Sequence, residues 1–332
     1  MRLDVLVPTL NRARSLERTV RSLLRAEVPQ ELQVLVTVVD NCSTDDTRAL
    51  VERLALESGG RVAYVSERRR GKSRALNAGI ASTSGDLIGM IDDDEEVDRQ
   101  WYRIVAQAFQ DPSLDFIGGP YIPKWPRQPP DWLPRDYLAV IGDVDSGPEA
   151  RDYGSNFNGI LKGGNAVIRR RVLERAGPYA EWLGPSGNGR LLSCEDEEMY
   201  FRLLKTGARG RYLPSLVVYH HVFEERLNKA YYRRWCFWRG VSRGLMDRVH
   251  PLPVRYLAGV PRFLYGRAGR GTIALARRAL RRQRASGSFS DELSLWDLAG
   301  YMYGRHVYRL ALHLPYPSRR KQPPGPTSGV NP

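Results

Sequence analysis

Leu87-Ile88-Gly89-Met90-Ile91-Asp92-Asp93-Asp94-Glu95-Glu96 sets an apolar run directly against five consecutive acids. The run reads as a buried strand that ends at the carboxylates. Side chains alternate faces along a strand, so Asp92 and Asp94 are expected on one side and Asp93 on the other. Carboxylates at that spacing suit a hard divalent cation that also holds phosphate oxygens. The plainer alternative is an acidic turn feeding the next helix, since acids favour a helix's positive N-terminus.

The chain upstream alternates strand and helix signals. Leu3 to Val7 is an apolar run closed by Pro8, Thr9 and Asn11, and Leu16, Val20, Leu23 and Leu24 follow at helical spacing. Val34 to Val39 is a second strand stopping at Asp40, and Ser43 with Asp46 marks a helix start. Arg61 to Val65 reads as a strand, Ser73 to Ile80 as a helix, and Asp86 to Ile91 as a fourth strand. Trp101, Ile104, Val105, Ala108 and Phe109 share one helical face. Repeated β-α units with continuous Val/Ile/Leu strands predict an α/β fold with a mostly parallel central sheet flanked by helices. In such sheets ligands sit at the carboxyl ends of strands, where Pro8-Thr9, Asp40 and Asp92 to Asp94 all fall. No G-x-G-x-x-G follows the first strand and no G-x-x-x-x-G-K-[ST] is present, which weakens a dinucleotide or Walker-type reading.

The chain has 332 residues and 42% hydrophobic content, enough for one large domain or a catalytic domain with an appendage. The N-terminus enters a strand-like run without a signal-peptide pattern, and no window approaches a membrane span. Cys42, Cys194 and Cys236 are widely spaced and odd in number, which argues for a reducing compartment and against a disulfide framework or zinc site. The charge is uneven: residues 1–225 carry 30 basic and 33 acidic side chains, and residues 226–332 carry 21 basic and 4 acidic. That basic third predicts a polyanionic neighbour, a membrane surface or nucleic acid.

Pro120 to Pro134 and Ser146 to Asn158 together read as a long loop region of the functional kind, and Trp182 to Gly189 as another Gly/Pro-rich loop. Gly163-Gly164-Asn165 pairs glycines that let backbone approach a ligand, or form an ordinary turn. Glu195 and Asp196 open a helix, where dipole stabilisation alone explains acids but a general base is also well placed. Tyr212 to Tyr219 is expected to be one strand with His220-His221 at its end, where an imidazole can complete a metal site. Tyr231 to Arg239 interleaves aromatics and arginines on a helix, including Arg234 and Trp235. Residues 251–284, with Arg277, Arg278, Arg281, Arg282 and Arg284, fit a basic amphipathic helix on anionic lipid. Asp291 to Leu314 reads as a further helix, and residues 315–332 as a disordered tail.

The order of these elements resembles the family 2 glycosyltransferases, inverting enzymes of the GT-A fold that use nucleotide-activated sugars. The likeness rests on Val7-Pro8-Thr9-Leu10-Asn11-Arg12, Val38-Val39-Asp40-Asn41, Gly71-Lys72-Ser73, Ile91-Asp92-Asp93-Asp94, Gly163-Gly164-Asn165 and Cys194-Glu195-Asp196. It implies a glycosyltransferase domain over 1–245, followed by a basic helical extension over 246–314. Pro8, Thr9, Asn11, Asp40 and Lys72 are implied to border the nucleotide, with Asp92 or Asp93 near the ribose. Asp94 and His220 are implied to hold Mg²⁺ or Mn²⁺, with His220 preferred to His221. Gly164, Asn165 and Glu195 are implied near the donor sugar, and Asp196 as the catalytic base. Tyr231-Tyr232-Arg233-Arg234-Trp235 is similar to the Gln-x-x-Arg-Trp motif of processive members, but Tyr231 stands in place of Gln.

The resemblance further implies a nucleotide-sugar donor, a UDP-sugar by prior, and a glycan or lipid-linked acceptor. The expected location is the cytoplasm, peripheral at the inner membrane face through residues 251–284. A metal-dependent nucleotidyltransferase shares the strand-end acids but has no need of Glu195-Asp196 at a helix start. A non-catalytic nucleic-acid-binding protein would suit the basic third, but acidic strand ends repel a phosphate backbone.

Overall fold

The computed structural model describes residues 1–154, 156–157, 159–280 and 289–308. Strands β1 (Arg2–Thr9), β2 (Gln33–Asp40), β3 (Val62–Ser66) and β4 (Leu87–Met90) pair in parallel in the order β3-β2-β1-β4. The helices between them, α1 (Ala13–Arg25), α2 (Thr47–Glu57) and α3 (Lys72–Ala81), are the crossovers such pairing requires. Val5, Leu6, Val7, Val38 and Val39 are fully buried, so both faces of these strands are covered as their continuous apolar runs require.

Past the acids come β5 (Glu95–Val97), α4 (Trp101–Ala108), β6 (Phe116–Gly118), β7 (Tyr121–Lys124), β8 (Arg151–Asp152) and β9 (Ala166–Arg169). They are followed by α5 (Arg170–Ala176), α6 (Glu195–Lys205), β10 (Gly210–Tyr212) and β11 (Val218–His221). β9 lies antiparallel between β4 and β6, and β10 with β8 closes the edge, so the eight-stranded sheet is mixed beyond β4. A second sheet, β5-β11-β7, pairs His220 opposite Glu95 and brings the His221 amide 2.8 Å from the Asp94 carbonyl.

The single strand expected over Tyr212 to Tyr219 is corrected. β10 ends at Tyr212 and β11 starts at Val218, with a turn closed by Leu216 donating to the Leu213 carbonyl at 3.1 Å. Pro214 removes a ladder donor there, and the chain changes sheets across it. The loop segments around 120–134 and 146–158 also carry the short strands β7 and β8.

Helix α7 (Lys229–Val249) runs straight through residue 245, where a domain boundary was expected. After the hairpin β12 (Tyr256–Leu257) and β13 (Val260–Pro261) come α8 (Arg262–Leu280) and α9 (Phe289–Met302). α9 packs on α7 with near backbone contact. A Cβ on Gly240 or Gly244 would meet the carbonyls of Asp297 or Tyr301, and one on Gly300 would meet that of Phe237. Arg281, Arg282, Arg284, the end of the helix expected to reach Leu314 and the 315–332 tail lie outside the described residues. No described helix is long and apolar enough to cross a membrane.

Candidate active site

β4 ends at Met90, so the strand alternation expected of Asp92, Asp93 and Asp94 does not apply. They sit on a turn in which the Glu95 amide donates to the Asp92 carbonyl at 3.2 Å, and all three line one cavity of about 400 Å³. Each has its own partner. Asp92 Oδ1 lies 2.7 Å from Lys72 Nζ. Asp93 accepts from Thr9 Oγ1 at 2.7 Å and Arg12 Nη1 at 2.8 Å. Asp94 Oδ2 accepts from Arg12 Nη1 at 3.0 Å and Arg226 Nη2 at 3.2 Å, while its Oδ1 stands 3.6 Å from His220 Nε2.

These pairings decide the charge states. Burial and the neighbouring Asp94 push Asp93 up to about 6, against the pull of Arg12 and Thr9. Asp94 is as deeply buried, yet His220, Arg226 and Arg12 outweigh that burial and hold it below the usual carboxylate range. Burial pushes His220 down, favouring the neutral imidazole that metals bind. Glu95, 1% exposed and accepting the Asp92 amide at 2.9 Å, is held well above its ordinary value by burial and by Asp92 and Asp94.

The donor set fits a divalent cation. Oxygens of Asp92, Asp94 and Glu95 lie within 4.8 Å of one another. Outside that trio His220 Nε2 stands 3.6 Å from Asp94, with its Nδ1 buried and without a hydrogen bond among the described residues. Carboxylates with one imidazole suit Mg²⁺ or Mn²⁺. Asp94 and His220 would be its holders. His221 turns away to Glu96, which Lys124 also holds.

A second cavity of about 780 Å³ is lined by Asp196, Glu195, Lys162, Trp235 and Arg239 among others. Lys72 joins the two, because its Nζ in the first cavity stands 3.7 Å from Glu195 Oε1 in the second. Burial works against the Lys72 charge, but Asp92, Asp196 and Glu195 prevail and raise its pKa well above the ordinary value. Glu195 is pushed up to about 7 by burial and by Asp196, against Lys72. Burial also raises Asp196, and its Oδ1 is a buried acceptor without a partner among the described residues. Both glycines before Asn165 are needed here. A Cβ on Gly163 would overlap the Asp196 carboxylate, and one on Gly164 would press on Glu95.

Pro8, Thr9, Lys72, Asp92, Asp93, Asp94 and His220 therefore share the first cavity, and Glu195, Asp196 and Trp235 the second. Five expected site residues stand elsewhere, Gly164 among them, packed against Glu95 and lining neither cavity. Asn165, fully buried, donates to the Pro120 and Leu216 carbonyls at 3.2 and 2.6 Å and accepts from Trp101 Nε1 at 3.0 Å, so its side chain braces the core. Asp40 accepts from the Ser43 amide and Tyr64 hydroxyl, both at 2.8 Å, and the neighbouring Asn41 reaches the cavity instead. Asn11, at φ 54°, accepts the Thr44 amide at 2.7 Å and shapes the loop after β1. Arg234 donates to the Gly189 carbonyl at 2.9 Å and is exposed. Arg12 and Arg226 were missed as site residues. Their only sequence signal was position, each a few residues past a strand end that carries a site residue.

A family model described as glycosyl transferase family 2 matches residues 4–177. The chain is 26% identical over 256 residues to the glucosyl-dolichyl phosphate glucuronosyltransferase of Haloferax volcanii, covering 76% of this chain and 79% of that one. It is 27% identical over 255 residues to the succinoglycan biosynthesis protein ExoM of Rhizobium meliloti, covering 76% and 78%. Among solved structures, the mannosyltransferase PcManGT from Pyrobaculum calidifontis in complex with GDP-Man and Mn²⁺ has a TM-score of 0.60 at 17% identity, covering 91% of this chain and 86% of that one. S. aureus TarS 1-349 in complex with UDP-GlcNAc has a TM-score of 0.53 at 18% identity, covering 73% and 66%. These likenesses identify the fold as GT-A. With more than half of its length matched by the family model, the chain belongs to glycosyl transferase family 2 and is a glycosyltransferase.

Proposed function

We propose that the enzyme moves a sugar from a nucleoside-diphospho-sugar to an acceptor hydroxyl with inversion at the anomeric carbon. The observation that carries this reading is the pair of cavities meeting at Lys72 and Glu195, with Asp92 to Asp94 on one side and Asp196 on the other. The donor diphosphate takes the first cavity, beside Thr9 and Lys72. The acceptor takes the second, with Trp235 as an apolar wall. Asp94 and His220 would hold a divalent cation, which when bound would neutralise charge on the leaving diphosphate.

Asp196 is the base. A hydroxyl is a poor nucleophile near neutrality, and a positioned carboxylate that takes its proton contributes about 10²- to 10⁴-fold. The hydroxyl oxygen bonds to the anomeric carbon, its proton passes to Asp196, and the bond to the diphosphate oxygen breaks on the opposite face. Lys72 ties Asp92 to Glu195 and so holds the two walls at a set separation.

The acceptor is proposed to be a glycan or lipid-linked sugar, met at an anionic membrane surface. α8 exposes Phe263, Ile273 and Leu280 together with Arg262, Arg270 and Arg277, the composition of an interfacial helix. Co-sedimentation with phosphatidylglycerol vesicles should fall with rising salt, and equal binding to neutral vesicles would sink the membrane reading. Thermal shift with UDP, GDP and their sugars, with and without Mn²⁺, tests the central proposal. A metal-dependent rise with one nucleotide family is expected, and no rise with any would refute it.

A further inference from the structure

We propose that Arg12 and Arg226 exchange one anion for another: they hold Asp94 while the site lacks a cation, and grip the leaving diphosphate once a cation takes Asp94. The inference rests on the nucleoside-diphospho-sugar reading above. Both guanidiniums donate to the same oxygen, Asp94 Oδ2, at 3.0 and 3.2 Å. Both also stack on one ring, 5.0 and 4.9 Å from the Phe223 centroid. The Arg226 guanidinium makes no other hydrogen bond among the described residues, and that of Arg12 also donates to Asp93 at 2.8 Å.

Two guanidiniums converge on one Asp94 oxygen, and only Arg12 has a second carboxylate, Asp93, to balance it. A cation held by Asp94 would stand against both, and like charges at such range repel strongly. Arg12 keeps Asp93 at 2.8 Å, and the diphosphate is the further anion open to both arginines, since both line the cavity it would enter. A planar guanidinium fork matches phosphate oxygens, and each bond made there is charge-assisted. As the anomeric carbon–oxygen bond breaks, its electron pair stays on the diphosphate, and the new charge falls where the two arginines now reach. Phe223 keeps both side chains at the site while they change partner. Arg12 and Arg226 are thereby catalytic residues, touching the leaving group.

The test uses the full chain and two titrations by calorimetry: Mn²⁺ alone, then UDP and GDP at saturating Mn²⁺. Arg226→Ala should bind Mn²⁺ several-fold more tightly, because a competitor for Asp94 is gone. The same variant should bind the nucleoside diphosphate about 10- to 100-fold more weakly, the loss of one charge-assisted hydrogen bond. Arg226→Lys should recover part of the nucleotide affinity. A merely structural role would weaken both titrations. Unchanged or weaker Mn²⁺ binding by a folded Arg226→Ala overturns the exchange. If the wild type binds neither UDP nor GDP with Mn²⁺, the sugar-nucleotide reading fails instead, and the Mn²⁺ titration still decides whether Arg226 competes for Asp94.

Discussion

The backbone at Gly163 runs so close to the Asp196 carboxylate that no Cβ fits between them. Asp196→Asn should therefore leave donor binding near wild type while transfer falls by about 10²-fold or more. Gly163→Ala, which displaces the carboxylate without removing it, should follow the same pattern more mildly. Donor affinity by calorimetry and single-turnover transfer check both. Joint loss of binding and transfer in Asp196→Asn would assign Asp196 a structural role.

Among the described residues, Asp94 is the one carboxylate that two arginines and a neutral imidazole all approach. Asp94→Asn should abolish the Mn²⁺-dependent part of nucleotide binding and leave any metal-independent part. Calorimetry with and without Mn²⁺ separates the two, and undiminished metal dependence would remove Asp94 from the ligand set.

Glu195 gives the fold a pH dependence of known sign. Its carboxyl, pushed up to about 7, keeps its proton in the folded chain while the unfolded chain loses it near the ordinary 4.5. Stability from this group is complete below about 4.5 and declines as pH rises towards 7. Glu195→Gln removes the decline, so its melting temperature relative to wild type should increase from pH 5 to pH 8. A constant difference across that range would refute the assignment.

Asn165 separates brace from ligand. Asn165→Ala strands the Trp101 indole N–H and the Pro120 and Leu216 carbonyls, all partners of its buried side chain. The loss should be about 3 kcal/mol, with a matching drop in denaturation midpoint. Nucleotide affinity, measured well below the melting temperature, should stay within about twofold, less than the loss of one hydrogen bond.

Much of this site was legible in the chain because its parts are local signals. The apolar run into Asp92 to Asp94, the stop at Thr9 and the acids opening α6 each follow from periodicity and strand ends within a few residues. Lys72 was expected only through the family resemblance, immediately before the helix read from Ser73. Asn165 was expected near the donor sugar and its side chain packs on three core partners, because a Gly-Gly-Asn segment has the same sequence whether its amide faces a ligand or the core.

By itself the sequence determined the crossover α/β architecture, since continuous Val/Ile/Leu runs separated by amphipathic helices bury both faces in only a few ways. It also determined that acids cluster at the carboxyl edge of the sheet. Only the tertiary structure decided what those acids meet. The break at Pro214 sends the chain from β10 into β11, and the small sheet then lays His220 opposite Glu95. That register carries Phe223 and Arg226 to Asp94, where Arg12 arrives from the far end of the chain. Pairing of buried charges depends on which strand ends converge in space, and no local pattern encodes that convergence.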